Sequence, residues 1–147
     1  MLVETKFLGE VEVEDSKVFV FEGGLPGFHN LTKFVIVPIE QDSPFVLLQS
    51  TEDKDVGFVL SFPFAFKPDY TFELSEQDMD DLNVEDQTEV VTYAIVTLKD
   101  SLANSTINLL APIVLNMKKM LGKQIVLQDS KSYSLRYPIR ELEGSAK

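Results

Sequence analysis

The chain contains no cysteine, no tryptophan and only one histidine. Without cysteine there are no disulfides, no thiolate zinc sites and no cysteine nucleophiles. The same lack suits a reducing compartment. A serine–histidine–aspartate triad would have to use His29, yet no Gly-x-Ser-x-Gly elbow supplies its nucleophile. His29 sits beside a turn and reads as a solvated loop residue. No apolar run approaches the roughly 20 residues of a membrane span. The N-terminus lacks the basic and then apolar segments of a signal peptide. The expected location is therefore the cytoplasm, where the sequons at Asn30 and Asn104 stay unused.

Other chemistry is missing as well. Gly23, Gly24 and Gly27 are not followed by the Lys-Ser or Lys-Thr of a phosphate loop, and Gly122-Lys123-Gln124 lacks the preceding glycines. Asp78, Asp80 and Asp81 hint at a calcium loop, but Asn83 stands where that loop needs glycine. No carboxylate pair has a spacing that marks it for acid–base work. The expectation is a protein that is not an enzyme and has no cofactor and no metal.

What the chain does have is β-strand pattern. Its 147 residues suit one domain, expected over 1–140, with a C-terminal tail at 141–147 that is disordered or a short helix. A domain this size buries about 70% of its unfolded surface and folds without metal or disulfide. Val3, Thr5 and Phe7 alternate with Glu4 and Lys6, as in a strand with one buried face. Further strands are expected over 10–14, 17–21, 33–38, 45–50, 56–62, 70–74, 89–98, 102–110 and 133–137, with a polar turn at 40–43. Ser75, followed by Glu76 and Asp78, reads as the N-cap of one short helix reaching about Leu82. Glu22–Phe28 reads EGGLPGF: a shaped loop pinned by Phe21 and Phe28, in which Gly24 or Gly27 takes positive φ. Many short strands with Gly and Pro turns indicate an all-β fold, a small antiparallel β-barrel-like domain with one short helix.

The stretch 108–127, NLLAPIVLNMKKMLGKQIVL, organises the rest. Pro112 argues against a helix and fits a strand start or a bulge. The expectation is two antiparallel strands, 113–117 and 123–127, reversing near Gly122, with Ile113 and Val126 buried on facing strands.

The net charge of −11 argues against direct nucleic-acid binding and favours a basic partner. Between Pro68 and Leu98 there are nine acids and no base, whereas from Ser101 onward seven bases face three acids. The bland alternative is a solvated acidic face with no partner. An acidic β domain without catalytic groups fits a protein-binding module, taking a partner helix in a groove or a partner strand on a sheet edge. The aromatics between Phe62 and Phe72, beside the acidic run, suit a groove with a charged rim, although phenylalanines on strands are mostly core. The candidate contact residues are Phe72, Glu73, Leu74, Asp78, Asp80 and Asp81, with the three aspartates expected to be exposed. Two other classes stay open: a barrel holding a small molecule, and a structural homo-oligomer subunit.

Five segments occur in order: FEGGLPGF at 21–28, PFVLLQS at 44–50, NLLAPIVLN at 108–116, GKQIVL at 122–127 and YSLRYPI at 133–139. Together they resemble the FliW family of bacterial flagellar assembly factors, over essentially residues 1–140. The resemblance implies a cytoplasmic, non-catalytic, β-barrel-like domain, monomeric when free. It implies two partners. One is flagellin, bound near its C-terminal region in a chaperone role. The other is the carbon storage regulator CsrA, a basic, dimeric RNA-binding protein that represses flagellin translation. The freed factor would capture CsrA, two copies per CsrA dimer, and relieve that repression. CsrA proteins of this partnership carry a helical C-terminal extension, which matches the groove route.

Overall fold

The computed structural model describes residues 1–39, 43–101, 104–127 and 133–139. The tail expected at 141–147 and most of the turn expected at 40–43 lie outside these residues. The described residues form eleven strands and one α-helix. The strands are β1 (Leu2–Thr5), β2 (Gly9–Glu12), β3 (Phe19–Val20), β4 (Lys33–Pro38), β5 (Val46–Ser50), β6 (Gly57–Ser61), β7 (Val90–Thr97), β8 (Thr106–Ile107), β9 (Ile113–Asn116), β10 (Leu121–Gln124) and β11 (Tyr137–Pro138). The helix α1 is Glu76–Asp81.

Hydrogen bonding runs β7-β6-β5-β4-β3-β10-β9, and β9 returns to β7, which closes a seven-stranded barrel. All its pairings are antiparallel except the meeting of β3 and β10. Strands β8 and β11 extend from the end of β7, and β1 and β2 form a separate hairpin. The expected small antiparallel barrel with one short helix is thus what the chain forms.

One core cluster draws on six of the seven barrel strands, all but β10: Phe19, Phe34, Leu48, Leu60, Tyr93, Ile113 and Leu115. The opposite faces of several strands are covered too. Val3 and Val13 pack on Val35, Val37 and Leu47. Leu82, just past α1, packs on Val114 and Ile125. Phe66, Tyr70, Leu109 and Ile139 pack on Val59, Ala94 and Val96. Burial on both faces is why FVIV, VLL and IVL read as continuous apolar runs rather than alternating ones. Polar groups within this core are bonded. The fully buried Gln49 accepts from Lys6 N–H at 2.8 Å and donates through Nε2 to the Val56 carbonyl at 3.1 Å. That amide ties the β1–β2 turn to the β5–β6 turn.

Several expectations shift. The reversal between β9 and β10 falls at 117–120, with Met120 at φ 57°, and not at Gly122. Gly122 lies inside β10 opposite Leu115, where an added Cβ would stand 2.4 Å from the Phe21 ring. Its role is close approach: a strand passes directly beneath an aromatic ring. Consequently Gln124, not Val126, faces Ile113, and Val126 is 60% exposed beyond the strand end. Phe7 falls in the turn after β1 and is exposed, leaving Val3 as the buried residue of that strand. The 70–74 stretch keeps alternating burial but joins no ladder; the Tyr133 hydroxyl bonds both the N–H and the carbonyl of Thr71 in place of a strand partner. Residues 102–103 of the strand expected over 102–110 lie outside the described residues; in the rest of it only β8 pairs, because Asn108 turns the chain by accepting from Leu110 and Ala111 N–H, and of 133–137 only Tyr137 joins a ladder, in β11. In the shaped loop both Gly24 and Gly27 take positive φ, at 68° and 85°, while Gly23 does not.

Two sets of substitutions check this architecture. Ile113→Ala should cost about 2–4 kcal/mol, from lost transfer energy and a cavity, whereas Val126→Ala should stay within about 0.5 kcal/mol of wild type in denaturant unfolding. In the same assay Gly24→Ala should destabilise more than Gly27→Ala. A Cβ at Gly24 would stand 2.5 Å from the Phe28 carbonyl oxygen, while one at Gly27 meets nothing within 4 Å.

Candidate functional site

Pro63 starts a short 3-10 turn, Pro63–Ala65, that carries the chain off the end of β6. Phe66 and Tyr70 then sink into the core, and the Tyr70 hydroxyl donates to the Leu109 carbonyl at 2.7 Å. Burial pushes that hydroxyl well above the usual tyrosine range. With both ends held, the 71–74 stretch crosses the outside of the barrel. Phe64, Phe72, Leu74, Val90, Thr92 and Val114, together with Thr71, Glu73 and Gln87, line a cavity of about 490 Å³. Its exposed lining is mixed, more polar than apolar, and Val114 beneath it is fully buried. Glu73 stands at its wall, and Glu73, Glu76 and Asp80 make no ion pair among the described residues.

The helix next to this groove forms as its sequence dictates. The Ser75 hydroxyl accepts from Asp78 N–H at 3.0 Å, and no buried residue lies within α1 itself. A single turn and a half of helix is marginal alone, so tethers from outside matter. Lys123 on β10 donates to Asp78 at 2.7 Å and to Asp81 at 2.6 Å. Below the helix, Asn116 Nδ2 donates to the Leu82 carbonyl at 2.8 Å. Burial works against ionisation of Asp78, but the Lys123 ammonium and the Ser75 cap outweigh it and hold its carboxyl below the usual range. Lys123, with help from Gln77, does the same for Asp81. Burial disfavours the Lys123 charge, and its two carboxylates more than restore it, raising its pKa.

The six candidate residues therefore separate. Phe72, Glu73 and Leu74 come together in the groove. Asp78 and Asp81 are engaged by Lys123, and the Asp78 side chain is only 16% exposed. Asp80 and Asp81 are exposed, as expected, and Asp78 is not; of the three only Asp80 makes no ion pair among the described residues. Nothing local marks Val90, Thr92 or Val114 as groove floor, since they belong to strands remote in sequence. A second apolar recess of about 400 Å³, between β2, β4 and the β9–β10 turn, includes Val11, Phe19, Ile36, Met117 and Met120. Among the described residues no group of three or more His, Cys, Asp or Glu could hold a metal. No helix among them is long and apolar enough to cross a membrane.

The FliW protein family model matches residues 2–139. The chain belongs to the FliW family. A FliW of Bacillus licheniformis is 44% identical over 139 residues, which is 95% of this chain and 96% of that protein. One of Bacillus subtilis is 40% identical with the same coverage, and one of Clostridium kluyveri is 40% identical over 99% of both chains. Each of these is named a flagellar assembly factor. A crystal structure of the flagellar assembly factor FliW has the same fold, with a TM-score of 0.88, 34% identity, and coverage of 95% of this chain and 96% of that one.

The tether of α1 has a defined pH window. The folded pKa values of Asp78 and Asp81 are depressed, so their contribution is complete above the usual carboxylate value of about 4 and is lost as pH falls through the lower folded values. That of Lys123 is raised, so its contribution is complete below the usual lysine value of about 10.4 and is lost as pH rises through the folded value. Lys123→Met should lower the thermal midpoint by an amount that stays constant across neutral pH and shrinks below about pH 4. Thermal melts of both proteins across that range check it.

Proposed function

We propose that this chain is a non-catalytic flagellar assembly factor that works in the cytoplasm by binding two proteins in turn. It holds flagellin near its C-terminal region as a chaperone. When flagellin has left, it binds the basic translational repressor CsrA, two copies per CsrA dimer, and relieves repression of flagellin synthesis. Family membership supports the assembly role. The observation that carries the binding reading is the groove: Phe64, Phe72 and Leu74 line it beside Glu73, to which no cation is paired among the described residues. Apolar contact supplies affinity, and unpaired rim carboxylates attract and orient a basic partner. The same negative field would repel RNA from the neighbourhood of a bound CsrA. The cavity's aromatic walls and open form suit a polypeptide better than an enclosed metabolite.

Charge and floor are separable in kinetics. The combined variant Glu73→Gln, Glu76→Gln and Asp80→Asn should slow association with CsrA several-fold at low salt and flatten its salt dependence, with the dissociation rate little changed. Phe72→Ala should instead speed dissociation, by roughly tenfold or more if it is a central contact. Asp78 and Asp81 stay untouched in this design because they tether α1. Stopped-flow binding at two salt concentrations reads both effects, and association and dissociation unchanged by either variant would remove the groove from the interface.

A further inference from the structure

The seam that closes the barrel is short. Strand β10 pairs with β9, and the same register continues past its end: the Ile125 N–H donates to the Pro112 carbonyl at 2.9 Å and the Leu127 N–H to the Leu110 carbonyl at 2.8 Å. In an antiparallel pair, successive residues present their N–H and C=O to opposite sides. The backbone groups of Lys123, Ile125 and Leu127 therefore face β9, and those of Gly122, Gln124 and Val126 face the β3 side. There a single residue pair, Leu121 with Val20, joins the two strands, beside the Val20 N–H bonded to the Met120 carbonyl at 2.9 Å. Past that pair the chain of β3 turns away. The Phe21 N–H donates to the Thr32 carbonyl at 2.7 Å, and the Gly24 N–H to the Phe21 carbonyl at 2.8 Å. The Gly122 carbonyl and both backbone groups of Gln124 and of Val126 are left without a hydrogen bond among the described residues. Beside this edge lies a cavity of about 440 Å³, with Glu22, Gly23 and Gly24 of the shaped loop among its lining and Gly122, Lys123 and Gln124 on the strand side. Gly23 and Gly24 carry no side chain, which lets another backbone come close. Glu22 makes no ion pair among the described residues, and further along the edge Val126 is 60% exposed.

We propose that the open β10 edge takes an extended segment from the C-terminal region of flagellin as an added strand, with an apolar side chain against Val126 and a lysine or arginine toward Glu22. Strand addition supplies main-chain hydrogen bonds to five groups in a row that otherwise have none, so it does not need an apolar pocket for its affinity. The edge also selects between the two partners. The CsrA segment implied by the resemblance is helical, and a helix has its own N–H and C=O already bonded along its length. Cargo held by a chaperone before it folds presents those groups unpaired, as in donor-strand complexes. The seam is close to the groove as well: Leu74 lines the groove, Asp81 lines the seam cavity, and only the six residues of α1, about 9 Å of helix, stand between them. A flagellin chain seated in the groove can therefore reach the edge, which gives it contacts that CsrA lacks. The inference rests on the binding reading above and adds to it where and in what conformation flagellin is held.

The test is amide hydrogen exchange by NMR on the full-length, isotope-labelled protein, alone, saturated with monomeric flagellin, and saturated with the CsrA dimer. Light scattering follows complex formation independently. In the free protein Gln124 and Val126 should be less protected than Lys123 and Ile125. With flagellin they should slow by about tenfold or more, toward the level of those neighbours. With CsrA they should stay as in the free protein. Gln124 already as protected as Lys123 in the free protein would overturn the open edge. A flagellin complex that perturbs Phe72 and Leu74 while Gln124 and Val126 stay unprotected would overturn strand addition and leave the binding reading standing. Equal protection by CsrA would overturn the assignment of the edge to flagellin. Protection that rises with protein concentration in the absence of either partner would assign the edge to a second copy of this chain and overturn the proposal. Absence of any flagellin complex would remove both the proposal and the flagellin part of the binding reading.

Discussion

The arrangement depends on one buried amide. Asn116, at the end of β9, is fully buried, and both halves of its side chain are bonded. Its oxygen accepts from Lys118 and Lys119 N–H at 3.0 Å each, which shapes the β9–β10 turn. Its nitrogen donates to the carbonyls of Leu82 and Asn83, beyond α1, and to Glu89 before β7. The turn places β10 beside β3, with Gly122 under the Phe21 ring, and so closes the barrel. Closure in turn presents Lys123 to the helix. Removing one partner from such a buried network leaves the others unsatisfied, which costs more than the bond itself contributes. The barrel seam and the wall of the groove thus share one support.

Charge is divided between two tasks. Seen along the chain, residues 69–89 hold nine acids and no base. In space, the basic C-terminal third returns to it: Lys123 meets Asp78 and Asp81, and Lys119 meets Glu85 at 3.0 Å. The asymmetry between the acidic middle and the basic end is partly an internal pairing of α1 and its flank with the β9–β10 hairpin. Glu73, in the groove, and Glu76 and Asp80, on the helix that follows, make no ion pair among the described residues.

Much of the fold was legible in the sequence because its signals are local. The Ser75 cap, the positive φ of Gly24 and Gly27, Pro112 at a strand start and the runs 33–38 and 89–98 each follow from a few adjacent residues. The misplacements share a cause in tertiary packing. Gly122 resembled a turn glycine, but the demand on it comes from Phe21, a hundred residues earlier in the chain. Val126 resembled core because β-branched residues favour strands, yet the real reversal lies earlier and pushes it past the strand end. The 70–74 stretch has the period of a strand without a ladder, since a tyrosine hydroxyl substitutes for the partner. At the site, Phe72, Glu73 and Leu74 were legible as an aromatic and acidic cluster. The floor supplied by Val90, Thr92 and Val114 was not, because only barrel closure brings those strands beneath it. The ion pairs of Asp78 and Asp81 with Lys123 were not legible for the same reason as the role of Gly122: their partner is distant in sequence.

In the proposed function, partners occupy the groove between the 71–74 stretch and β7. Backbone chemical-shift mapping on the full-length protein titrated with CsrA tests it most directly. Occupation of the groove should concentrate the shifts at Phe64, Phe72, Glu73, Leu74, Gln87 and Thr92, with the recess at Met117 and Met120 unaffected. Shifts concentrated at Val11, Ile36, Met117 and Met120, with the 71–74 stretch unmoved, would contradict it.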